Sequence, residues 1–212
     1  MIENIGNLIS KVFYGGIIDT GCNNDEKRHG LTRYVGKSIV WFDTSANKKK
    51  SQKRTKGGSY INEEEKRIIL EILDDLKRTG ELKGLDIGII TGYSGQKELL
   101  RKSIKATELD KIASKIDINT LDAFQGREND IIIYSTVRTR DSIGFQKEKE
   151  RVNVAFSRAK KLLIVCGDKN FFYNFDDQDN KFVEIIDYIS EGEECEIIQC
   201  DGGKLFERES NS

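Results

Sequence analysis

Residues 119–130 read NTLDAFQGREND. Inside this run Gln125, Gly126, Arg127 and Glu128 stand side by side, directly ahead of the apolar stretch IIIYSTV. A surface loop needs no such grouping of amide, guanidinium and carboxylate, whereas a site that handles phosphate does. A second group follows in KEKERVNVAFSRAKK. At about 100° per residue, a helix over Lys147–Ala159 gathers Val152, Ala155, Phe156 and Ala159 on one face. Arg151 and Arg158, seven residues apart, then leave from the same side of that buried stripe. Two readings fit the pair. They are snorkelling arginines with packed stems and solvated heads, or one is a guanidinium held by a packed helix, the geometry of an arginine finger on a transferring phosphoryl group.

Other chemistries are excluded by the inventory. His29 is the single histidine, in the loop-like NNDEKRHGLT, so a multi-histidine metal site cannot form and a solvated histidine is expected. The Asp and Glu residues could in principle bind a hard metal, but no EF-hand spacing occurs. Cys22, Cys166, Cys195 and Cys200 lack CxxC spacing and disulfide-scaffold density, which reads as a cytoplasmic protein with reduced thiols. No apolar run approaches the ~18 residues of a membrane helix. With 33% charged residues and a net charge of −1, nucleic acid would have to be met by local patches rather than by the global field.

Two hundred and twelve residues suffice for one sizeable α/β domain. Its strands are expected at Ser38–Phe42, Asp86–Thr91, Lys115–Leu121, Asp130–Val137 and Lys161–Gly167, with a sixth in CEIIQC. Apolar residues at consecutive positions suit parallel strands buried on both faces. Helical patterns lie between them, at Asn62–Arg78, Ser94–Ile104, Lys147–Ala159 and Lys181–Ser190. Asn62 and Glu65 form a capping-box-like pair at the start of the first. Strand–helix alternation predicts a doubly wound, mostly parallel sheet flanked by helices over residues 1–200. The basic stretch Ala46–Tyr60 is expected as a mobile loop, either merely solvated or a patch for a phosphate backbone. Residues 201–212 are expected as a flexible tail.

TLDAFQGRENDIIIYSTVRT followed by ERVNVAFSRAKKLLIVCGD resembles motifs V and VI of the superfamily 1 helicases, in the branch of the nonsense-mediated-decay helicase and senataxin. Three more pieces match in order. IGNLISKVFYGG resembles the segment after the family's Tyr-Arg-Met motif, GGSYINEEEKRII its Asn-x-x-Glu helix start, and IGIITGYSGQ its motif IV neighbourhood. The resemblance implies a three-layer RecA-like domain, the second of two in such a motor. It places Arg158 as the arginine finger on the γ-phosphate and Glu128 on the ribose or phosphate side of ATP. Gly126 would let the backbone come close, Gln125 and Arg127 would couple the nucleotide cleft to the nucleic-acid side, and Arg151 joins the ATP-binding set. Thr120 matches a contact to a nucleic-acid phosphate; Thr91, Tyr93, Gln96 and Arg138 would line the same track along single-stranded DNA or RNA. Gly92 departs from the family's usual proline.

No G-x-x-x-x-G-K-[ST] phosphate loop occurs in the chain. The resemblance puts that loop, with most of the ATP and Mg²⁺ contacts, on a first RecA-like domain, the expected partner, without which this chain is expected to be inactive. Met1 falls at the methionine of Tyr-Arg-Met, as in a truncated chain or a reading frame opened at an internal methionine. A non-catalytic module that binds nucleic acid or a partner is the alternative. A Rossmann-type transferase would need a glycine-rich turn after the first strand, where WFDTSANKKK has none.

Overall fold

The computed structural model describes residues 1–18, 28–81, 84–107, 109, 116–124 and 126–206. The six expected strands appear as β1 (Ile39–Asp43), β4 (Ile87–Thr91), β5 (Ile116–Thr120), β6 (Asn129–Ser135), β7 (Ala159–Gly167) and β8 (Cys195–Gln199). They form one sheet in the order β5-β4-β6-β7-β1-β8, and every neighbouring pair is parallel. The helices are α1 (Glu3–Tyr14), α2 (Glu63–Arg78), α3 (Ser94–Ala106), α4 (Lys149–Phe156), α5 (Lys169–Tyr173) and α6 (Phe182–Glu191).

Alternation within the buried strands divides the core. Val40, Phe42, Ile131, Ile133 and Ile164 face α2 and α3, while Trp41, Ile132, Tyr134 and Val165 face α1, α4 and α6. Both strand faces are buried, which is why the strands read as unbroken apolar runs. The result is the three-layer RecA-like α/β fold. No helix among the described residues is long and apolar enough to cross a membrane.

Five local outcomes differ from the sequence pattern. Helix α4 stops at Phe156, because Ala159 pairs with Asn129 and opens β7. The β-branched and leucine-rich run that follows is claimed by the sheet. Helix α1 was not expected from pattern, although Ile5, Leu8, Ile9 and Val12 are buried at helical spacing and Gly15, at φ 61°, ends it. Residues 46–61 contain a hairpin, β2 (Lys53–Arg54) against β3 (Tyr60–Ile61). At the other end of the chain, Phe206 receives the Arg33 guanidinium 4.1 Å above its ring, and the Leu205 N–H donates to Glu71 at 2.9 Å. His29 is half-buried rather than solvated: one ring nitrogen lies 2.7 Å from the Lys37 carbonyl and the other accepts from the Leu31 N–H.

Candidate functional site

Parallel strands give the sheet two chemically distinct edges, and the connection from β5 to β6 crosses between them. Thr120 ends β5 at the carboxyl edge, a short 3-10 turn (Leu121–Phe124) lies across the sheet face, and Glu128 precedes β6 at the amino edge. The crossing is possible because β4 has a glycine beneath it. A Cβ on Gly88 would meet the Phe124 ring at 2.6 Å and Ile132 at 2.7 Å. Gly126 takes φ 85°, with nothing within 4 Å of a would-be Cβ, so its demand is conformational rather than spatial. Gln125 lies outside the described residues.

At the amino edge, Glu128 and Arg158 come together. The Asn129 N–H donates to the Arg158 carbonyl at 3.0 Å, joining the residue after Glu128 to Arg158 itself. Arg158 is half-buried, and its Nε donates to the Val154 carbonyl at the end of α4 at 3.1 Å. That bond anchors the side chain and leaves both terminal nitrogens of the guanidinium without a carboxylate partner among the described residues. Glu128 is exposed and forms no hydrogen bond or ion pair with them. Arg127 is already engaged, with Nη1 2.5 Å from Asp117.

Arg151 is not part of this group. It sits on the first turn of α4, and Arg158 lies beyond the end of that helix, so the two-turn spacing that aligned them does not exist. Arg151 bonds Glu148 at 2.7 Å, reaches Asp122 at 3.8 Å and packs its guanidinium 5.2 Å from the Phe145 ring. Asp122 follows Thr120 closely, which puts Arg151 near the carboxyl edge, at the opposite end of the domain from Arg158.

At the carboxyl edge, Thr91 is in register with both Thr120 and Ser135. The five residues expected along the nucleic-acid track are not equally open. Thr120 is partly exposed, but Thr91 and Gln96 are 0% exposed, and Tyr93 and Arg138 are 4% exposed. Gln96 accepts from the Asn62 N–H and donates to the Asn62 carbonyl and the Ser135 hydroxyl. Tyr93 is wedged edge-on against Tyr60, ring centroids 5.6 Å apart, and burial pushes its phenol up to about 12. Arg138 lays its guanidinium 4.2 Å from the Tyr60 ring centroid and donates to the Arg140 carbonyl. In this structure those four side chains build the edge from within, and Thr120 is the member with an open surface.

What organises the edge is a buried carboxylate whose part the sequence pattern did not predict. Glu65 is fully buried. It accepts from the Ser135 hydroxyl at 2.6 Å, the Thr136 hydroxyl at 3.1 Å, the Asn62 amide at 3.2 Å and the Val137 N–H. Burial is the largest influence on it and pushes its carboxyl up to about 8, against the pull of those donors. Asn62 caps α2 as expected, accepting from the N–H groups of Glu64 and Glu65. The reciprocal half of a capping box is absent, because the Asn62 N–H goes to Gln96 and Glu65 turns into the sheet edge. An acidic residue three places after an N-cap reads as part of the cap, and nothing local distinguishes one that reaches another strand.

Comparison with known proteins agrees with this architecture. A family model described as an AAA domain matches residues 1–170. Helicase SEN1 of Saccharomyces cerevisiae is 39% identical over 178 residues, covering 79% of this chain and 8% of that protein. Regulator of nonsense transcripts 1 of Caenorhabditis elegans is 32% identical over 167 residues, covering 75% and 15%. DNA polymerase alpha-associated DNA helicase A of Saccharomyces cerevisiae is 36% identical over 138 residues, covering 61% and 19%. The chain belongs to the superfamily 1 helicases, in the branch that holds SEN1, senataxin and the regulator of nonsense transcripts. It spans less than a fifth of the length of these relatives.

Proposed function

We propose that this chain is the second motor domain of an ATP-dependent helicase acting on single-stranded DNA or RNA. The observation that carries this reading is the placement of Arg158 and Glu128 at the amino edge, joined through the backbone bond from the Asn129 N–H to the Arg158 carbonyl. A guanidinium anchored through its Nε, with two terminal nitrogens uncommitted, is suited to polyphosphate, and an unpaired carboxylate beside it is suited to ribose hydroxyls. ATP would be held between Arg158 and Glu128 here and a phosphate loop on a partner domain. Mg²⁺, which neutralises phosphate charge when bound, belongs with that partner in this reading.

The chain's own work is positional. Closure of the partner against the amino edge brings Arg158 to the charge that develops on the phosphoryl oxygens. The β5–β6 connection ties that edge to Thr120, so closure on one side is felt at a residue placed to hold a strand phosphate on the other. Phosphate contacts carry no sequence information, so the reading is the same for DNA and RNA. The test is ATP turnover, stimulated by single strands, in the chain joined to a first domain that carries a phosphate loop. Arg158→Ala should abolish it, and the chain alone should not hydrolyse ATP. Normal turnover in the variant overturns the Arg158 assignment, and no turnover in the unaltered two-domain protein leaves the non-catalytic module as the reading.

A further inference from the structure

Four of the five residues expected along the strand's track are buried. The hairpin beside it has the opposite character. Between residues 46 and 60 the chain carries Lys48, Lys49, Lys50, Lys53, Arg54 and Lys56 and no acidic residue. Lys50 is neutralised by Asp168 at 2.7 Å. The other five are exposed, and none forms an ion pair among the described residues. In a chain of net charge −1 this is a local field, not a global one.

The hairpin is also fixed in place. The Gly95 N–H at the start of α3 donates to the Ser59 hydroxyl at 3.0 Å. A Cβ on Gly95 would meet Thr55, the Tyr60 carbonyl and Ile61 at 3.1–3.2 Å, so hairpin and helix are in direct apposition. Gln52 and Thr139 exchange reciprocal hydrogen bonds of 2.9 and 3.1 Å, tying the strand before the turn to the segment after β6. Tyr60 is held between Tyr93 and Arg138. These anchors all belong to segments that follow the carboxyl ends of β4 and β6, the edge that presents Thr120.

We infer that the β2–β3 hairpin grips the phosphates of the single strand, through Lys53, Arg54 and Lys56, as a continuation of the path at Thr120. The inference rests on the motor-domain reading, which makes the ligand at Thr120 one strand. Exposed cations on a hairpin fixed in place gain from counterion release without reading bases. The buried Arg138 does not contact the strand; it positions Tyr60 and through it the hairpin.

The test is fluorescence anisotropy of this chain with a labelled oligothymidylate of about 20 nucleotides, over a salt series. Lys53→Glu with Arg54→Glu should weaken binding roughly tenfold or more and flatten the log–log salt slope by about 1 to 2. Lys102→Glu with Lys105→Glu, the same charge change at the far end of α3, should leave binding within about twofold. Lys53→Gln with Arg54→Gln repeats the test without reversing charge, and circular dichroism verifies that each variant is folded. Equal losses in the hairpin and α3 variants would overturn the inference, as would no loss, tighter binding to duplex than to single strand, or no binding by the unaltered chain. Arg158-dependent turnover in the two-domain protein judges the motor reading separately, so either idea can fail while the other stands.

Discussion

The Val137 N–H donates to both carboxylate oxygens of Glu65, at 2.8 and 2.9 Å, while Val137 itself sits at φ 68°. A β-branched residue in the left-handed region is strained by roughly 1–2 kcal/mol, and the strain persists where surrounding bonds over-determine it. Here they come from α2: the Asn62 amide also donates to the Val137 carbonyl at 3.2 Å. Helix α2 therefore sets the direction in which the chain leaves β6, and with it the place of Arg138 over Tyr60.

Removing the clamp should cost stability at a distance from any ligand. Glu65→Ala strands the Val137 N–H and removes the acceptor of two buried hydroxyls, an expected loss of about 3 kcal/mol or more. Urea unfolding of the two proteins measures it. A difference within roughly 0.5 kcal/mol would mean that water or other groups take over the donors and that the clamp is incidental.

The same carboxylate makes the domain sensitive to pH. Its folded value of about 8 lies above the ordinary 4.5, so across that window the native state holds more protons than the unfolded chain. Its contribution to stability is full below the ordinary value and is lost as pH rises through about 8. Burial is the main cause and the nearby Asp168 carboxylate adds to it. Melting temperature should fall between about pH 6 and about pH 9 more steeply in the unaltered chain than in Glu65→Gln. Parallel curves would show that Glu65 is ionised throughout.

The crossing of the β5–β6 connection makes a different demand. Gly88→Ala places a methyl group against Phe124 and Ile132, and either the ring moves or the sheet does. Overpacking of this kind costs about 1–3 kcal/mol. Because Phe124 anchors the loop that carries Glu128, turnover in the two-domain protein should fall as well. Unchanged stability and turnover would place the loop's anchor elsewhere.

How much of this was legible follows from the range of each signal. The strands were found because burial on both faces leaves continuous apolar runs, and α2 because Ile68, Ile69, Ile72, Leu73 and Leu76 repeat on one face. Thr120 and Glu128 were placed at the two ends of one connection because strand ends are local features. The orientation of side chains was not legible. Thr91, Tyr93, Gln96 and Arg138, expected along one track, are buried at the carboxyl edge, where Gln96 pairs with Asn62 and Ser135, and Tyr93 and Arg138 pack on Tyr60, all tens of residues away. Arg151 and Arg158 failed as a pair because no glycine or proline marks the end of α4; tertiary pairing of Ala159 with Asn129 ends it.

That shortened helix sharpens what is expected of Arg158. Its side chain begins past the last turn of α4 and folds back so that its Nε donates to the Val154 carbonyl, which holds it at the helix end rather than along a packed helical face. A guanidinium stabilising a transferring phosphoryl group is worth roughly 10³–10⁵ in turnover. Arg158→Ala in the two-domain protein should lose about that factor while ATP affinity changes little, since the remaining contacts to the nucleotide are intact. Arg158→Lys keeps the charge but loses the fork of donors and should recover only part of the rate. A matched loss of ATP affinity in both variants would assign Arg158 to ground-state binding rather than to the phosphoryl transfer step.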